Sequence, residues 1–170
     1  MIRTTVLRVA LALAATLLMA GCAGVAKITD FPRSAHAIDF AAMQAKDYTV
    51  PDAVWNLRTE FDYFVEVRNS TEQRLFDAAA EALRKEGYTV SFSDLTARTV
   101  IAERGLGLWE WSSITAVYYK GADGVLKVYI KNAITQDVTG SWRINRAQDV
   151  AVALCKLVEC NASIAVPPSK

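Results

Sequence analysis

The sequence predicts an α+β domain: an antiparallel-rich, five-stranded sheet in the order β-α-β-β-β-β-α, with two helices on one face. Three observations predict it. Residues 61–68 alternate in polarity, residues 70–87 carry a helix-period stripe with its own start and stop, and residues 111–134 read as a long hairpin. Antiparallel strands with helices gathered on one face form this layer arrangement.

The first strand places Phe61, Tyr63, Val65 and Val67 on one face and Asp62, Phe64, Glu66 and Arg68 on the other. Asn69-Ser70-Thr71-Glu72-Gln73 then starts a helix, with Ser70 as N-cap and Gln73 completing a capping box. Leu75, Phe76, Ala79, Ala82 and Leu83 form its apolar stripe, and Gly87 ends it in the left-handed conformation. Tyr88, Val90 and Phe92 mark a second strand, and Arg98 to Arg104 a third. A fourth strand runs from about Trp111 to Lys120 and a fifth from Val125 to about Ile134.

With Gly121 to Gly124 as the loop, Lys120 opposes Val125. One face of the hairpin then holds Thr115, Val117, Tyr119, Leu126, Val128 and Ile130 and should be core. The other holds Ile114, Ala116, Tyr118, Lys127, Tyr129 and Lys131 and should be wet or a contact surface. Asn145 caps a closing helix whose stripe is Ala147, Val150, Ala151, Leu154, Leu157 and Val158. Residues 61–162 thus form the domain, with 163–170 as a tail. Before it, residues 35–60 read as an irregular lead-in: Ser34 caps a short helix through Ala37, Ile38, Ala41 and Met43, and Pro51 breaks the chain.

The start of the chain is patterned differently. Arg3 and Arg8 precede an apolar run from Val9 to Ala20, and small residues then lead to a cysteine. A basic, apolar and small-residue series is a secretory signal peptide, here residues 1–21. The run is too short for a spanning helix, which needs about 20 apolar residues. Met19-Ala20-Gly21-Cys22 resembles the lipobox of bacterial lipoproteins. That resemblance implies cleavage before Cys22, a lipid such as palmitate on Cys22, and a lipidated tether over residues 22–34. Ala23, where an Asp would favour the inner membrane, implies the outer membrane by analogy with that family.

Removing the leader takes two of 19 basic residues and no acid, leaving 17 basic against 18 acidic side chains. Such balance argues against nucleic acid, which needs clustered excess cation. Two cysteines remain, Cys155 and Cys160. An even pair in an oxidising compartment suggests a disulfide, whereas one continuous helix through both would hold them too far apart. Both readings stay open at this stage.

Candidate chemistry is sparse. His36, the only histidine, lies outside the patterned domain, and a lone histidine with no cysteine cluster leaves no zinc ligand set. Gly105-Leu106-Gly107 reads as a turn or bulge, and Asp62/Glu66 and Glu110/Asp137 as charged solvent faces. Trp109, Trp111 and Trp142 either plug the end of the core or form an apolar groove or partner anchor. Tyr118, Lys127, Tyr129 and Lys131 offer a second contact patch. No metal, cofactor or catalytic residue is expected.

In element order alone, the domain is similar to the helix-grip domains of an accessory lipoprotein of the outer-membrane barrel-assembly machine. The expected role is a periplasm-facing, outer-membrane-anchored, non-enzymatic accessory or interaction protein of the cell envelope. Its expected contacts are the membrane, through the N-terminal lipid, and an envelope protein. The alternative is a carrier of a small apolar ligand or lipid, with Trp109, Trp111 and Trp142 lining its cavity.

Overall fold

A computed structural model of the chain describes residues 26–46, 58–105, 110–122, 124–136 and 145–161. Its core is an open five-stranded sheet: β1 (Arg58–Val67), β2 (Thr89–Asp94), β3 (Thr99–Arg104), β4 (Glu110–Ala122) and β5 (Val125–Gln136). The spatial order is β1-β5-β4-β3-β2, and every neighbouring pair is antiparallel. Three helices accompany it among the described residues: α1 (Phe40–Ala45), α2 (Glu72–Lys85) and α3 (Arg146–Cys155). The predicted α+β class and the strand-helix order are therefore the observed ones.

Helices α2 and α3 cover one face. Leu75, Ala79, Ala82 and Leu83 of α2, and Val150, Ala151 and Leu154 of α3, are all fully buried against Val67, Val117, Tyr119, Val128 and Ile130. The N-cap of α2 is Thr71, whose side chain accepts from the Arg74 N–H at 3.1 Å. This corrects the expected Ser70 by one residue: with Thr71 as cap, Arg74 and not Gln73 stands at the third helical position, so no capping box forms. Gly87, at φ +82°, ends the helix as predicted. The Gly87 N–H reaches the Arg84 carbonyl and the Tyr88 N–H the Leu83 carbonyl, both at 3.0 Å, satisfying two otherwise orphaned acceptors. Asn145 caps α3 as expected, accepting from the Gln148 N–H at 3.1 Å.

The β4–β5 hairpin is tighter than expected. Ala122 pairs with Val125 and Lys120 with Lys127, so only Asp123 and Gly124 connect the strands. Gly124 has φ +76°, which a two-residue hairpin connection favours and Gly adopts without strain. The predicted pairing of Lys120 with Val125 is thus off by two residues. A slip of two preserves side-chain parity, so both predicted face sets stand.

The lead-in and tether are where the chain departs from expectation. Residues 26–46 are not a spacer but a folded strap over the sheet's second face. The expected single helix from Ser34 is broken in two. Ser34 caps only a 3₁₀ turn, Ala35–Ala37, and Asp39 caps α1 by accepting from the Ala41 and Ala42 N–H groups at 3.1 Å. A second 3₁₀ turn spans Ile28–Asp30. The irregularity lets Phe31, Ala35 and Phe40 all point at the sheet, where each is buried. The predicted break at Pro51 lies outside the described residues.

Candidate functional site

The Tyr and Lys face of the hairpin is a contact surface, and its occupant is the chain's own strap. On β4 and β5 it presents Ile114, Ala116, Tyr118, Tyr129 and Ala133, with Ile101 added from β3; all are buried under Ala26, Phe31, Ala35 and Phe40. The expectation of a wet face therefore fails at Tyr118 (0% exposed) and Tyr129 (5% exposed). Their rings stack with centroids 6.1 Å apart. Each phenol also finds an acceptor: the Tyr118 hydroxyl donates to the Pro32 carbonyl at 2.9 Å and that of Tyr129 to Asp62 Oδ1 at 2.8 Å. Burial pushes the Tyr118 hydroxyl well above the usual phenol range, so it remains a neutral donor.

The strap's path is fixed at both ends of the sheet. The Ala26 N–H donates to Thr135 Oγ1 at 2.8 Å, beside the start of β4 and the end of β5. The Ala35 N–H donates to the Ala97 carbonyl at 2.9 Å, in the β2–β3 turn at the opposite end. The chain then returns over β5 and β1. Lys127 Nζ donates to Gln44 Oε1 at 2.8 Å, Gln44 Nε2 to Glu66 Oε1 at 3.0 Å, and Lys46 pairs with Asp62. Lys131 pairs with Glu60 at 3.0 Å and lies 5.8 Å from the Phe31 ring centre. Lys127 and Lys131 are thus engaged within the fold. These partly exposed polar contacts add little stability, and the apolar contacts beneath them hold the strap.

The other face carries a feature that sequence reading missed. Asn132, Ser113, Thr115 and Tyr88 meet inside the apolar core, all at most 3% exposed. Asn132 Nδ2 donates toward Thr115 Oγ1 (2.9 Å), Ser113 Oγ (3.0 Å) and the Ile114 carbonyl (3.0 Å), and the Tyr88 and Ser113 hydroxyls lie 2.8 Å apart. Asn132 Oδ1 is buried without a hydrogen-bond partner among the described residues. Desolvation pushes the Tyr88 phenol up, outweighing its hydrogen bonds to Ser113 and Thr115. The cluster consists of three hydroxyls and one amide, all neutral, so it fixes protons in place and has no charged group with which to activate a nucleophile. Its traces in the sequence are three polar residues, Ser113, Thr115 and Asn132, at strand positions whose parity points inward.

Cys155 and Cys160 are bonded, with Cα atoms 5.3 Å apart. The geometric objection to that bond disappears because α3 stops at Cys155. The following residues turn back so that Cys160 bridges Val67, and the Arg68 N–H donates to the Glu159 carbonyl at 2.9 Å. Trp111 belongs to β4 by its backbone, but its side chain, like Trp109, Trp142 and Cys22, lies outside the described residues. His36 is exposed on the strap. Among the described residues no three His, Cys, Asp or Glu side chains converge on a metal position, and no helix is long and apolar enough to cross a membrane.

No protein family matches the chain, and no curated protein is significantly similar to it.

Proposed function

We propose that the chain is an exported bacterial lipoprotein, acylated at Cys22 and held at the outer membrane with its domain facing the periplasm. There it serves as a non-enzymatic accessory or interaction protein of the cell envelope. The observation that carries this reading is the ending Met19-Ala20-Gly21-Cys22 after a basic and then apolar leader. The Cys155–Cys160 bond supports it, since disulfides persist in oxidising compartments and are rare in the cytosol.

The partner is an envelope protein. Because Tyr118 and Tyr129 are covered, a partner of the intact fold meets other surfaces. Metabolic labelling with an alkyne palmitate tests the anchor. Label should enter the natural chain, be lost in Cys22→Ser, and accompany a mature N-terminus at residue 22. An unlabelled chain with an intact leader overturns the reading. The alternative, a carrier of a small apolar ligand, turns on Trp109, Trp111 and Trp142; native mass spectrometry for co-purified lipid tests it.

A further inference from the structure

We infer that the sheet end holding Ala26 and Thr135 lies against the lipid headgroups, so that the domain stands on the membrane in one orientation. The inference rests on acylation of Cys22, as proposed above, and deepens it by naming the surface that meets lipid. Only Ala23, Gly24 and Val25 separate Cys22 from Ala26. Ala26 is no longer tether: it is 4% exposed and its N–H is held by Thr135. Four chain steps at no more than about 3.6 Å each reach roughly 14 Å at full stretch. The headgroup layer is itself about 5–8 Å deep on each side. The Thr135 end therefore cannot stand off by more than about 9 Å, and any slack in the link brings it closer.

The fold fixes which residues share that end. Thr135 pairs with Ser112, Ser113 with Arg104, and Gly105 follows at the exposed end of β3. The β2–β3 turn with Leu95 lies at the far end, beyond the Thr99–Tyr118 pair. From Ser112 to Tyr118 is six strand residues, or about 20 Å. With the strands upright on the membrane, Leu95 is carried about 20 Å beyond Gly105 and stays outside the headgroup layer. Glu110 and Gln136 also pair at the near end.

The test uses the protein as processed and recovered from cells, reconstituted in vesicles of phosphatidylethanolamine and phosphatidylglycerol containing an alkyne-tagged phospholipid. A benzoylphenylalanine photocrosslinker replaces Gly105, where a side chain meets nothing within 4 Å, or the exposed Leu95. A third form carries the Gly105 crosslinker and an insertion of about 20 Gly-Ser residues after Ala23, adding a mean reach of about 25 Å. Palmitate incorporation is read separately on each. Lipid adducts at Gly105, none above background at Leu95, and their loss with the spacer are expected. Palmitate-labelled protein that gives no adduct at Gly105, equal adducts at both positions, or adducts that survive the spacer overturns the orientation while leaving the anchor intact. Absence of palmitate overturns the anchor and the orientation together.

Discussion

Replacing Phe31 with Ala separates a folded strap from a tether. Phe31 is 3% exposed and packs on the sheet's second face, so its truncation removes a buried aromatic side chain from a formed interface. Such truncations cost about 3–5 kcal/mol, against a total stability of about 5–15 kcal/mol for a domain. With a urea slope of about 2 kcal/mol/M, the midpoint should fall by about 1.5–2.5 M. If the strap undocks before the sheet unfolds, the slope should fall too, because less surface is left to expose. Equilibrium urea unfolding of the chain from residue 22, with Cys22→Ser, measures both quantities. Amide hydrogen exchange at Ala26 and Ala35, whose N–H groups bond Thr135 and Ala97, reports the strap directly. A tether side chain would change stability by no more than about 0.5 kcal/mol. A midpoint shift under about 0.3 M with an unchanged slope, and fast exchange at Ala26 and Ala35 in the unmodified chain, would refute the strap.

Three further outcomes follow from the same geometry. Asn132→Asp places a carboxylate among buried groups and removes the donor to the Ile114 carbonyl. Burial raises its pKa above the unfolded value of about 3.9, so the cost is absent below that pH and grows as pH rises through it; stability measured against the parent should recover between neutral pH and pH about 4, and a gap that stays constant would refute a buried site. Burial raises the Tyr63, Tyr88 and Tyr118 hydroxyls, and Tyr119 is pushed up to about 12. Unfolded phenols lose their protons near pH 10, so above that pH the unfolded state binds fewer protons and stability falls with rising pH. Tyrosinate absorbance from these residues should grow in together with loss of circular dichroism, whereas full ionisation near pH 10 with the fold intact would refute their burial. Replacing both Cys155 and Cys160 by Ser removes a short loop closure of about 2 kcal/mol, lowering the melting temperature by about 6 °C; reduction of the parent should give the same shift, and no shift in either would show the bond contributes nothing.

The elements most legible in the sequence were those whose information is local. Helix α2 carries a stripe, a cap region and Gly87 within 17 residues, and only the cap moved, from Ser70 to Thr71. Both are small hydroxyl residues beside each other, and the capping-box spacing from Ser70 to Gln73 favoured the one the helix does not use. The face sets of β4 and β5 were legible because strand parity survives a slip of two residues. The register was not, because the apolar pattern is equally satisfied by either pairing. Asp123-Gly124 held the missing information: a two-residue Asp-Gly connection is the stronger hairpin signal, and it fixes Ala122 opposite Val125.

The second face was illegible for a different reason. Its Tyr-Lys composition is what a solvent surface and a surface under a polar-rimmed strap have in common, since phenols and long cationic side chains present both apolar stems and polar tips. What distinguishes the two is the strap, and the strap has no period to find: its buried residues Ala26, Phe31, Ala35 and Phe40 are spaced five, four and five apart through two 3₁₀ turns and a short helix. The bond that pins it joins residues 109 positions apart. Yet the strap decides how the rest is to be used. If residues 22–34 were a free tether, the domain could take any orientation and any face could meet a partner. With Ala26 docked, no more than three residues of free link remain between the sheet and Cys22, the proposed site of acylation. The Tyr-Lys face is committed to the chain itself; on the proposed anchoring, the Thr135 end would meet lipid and the helix face and the β2–β3 and β4–β5 turns would be left for a protein partner.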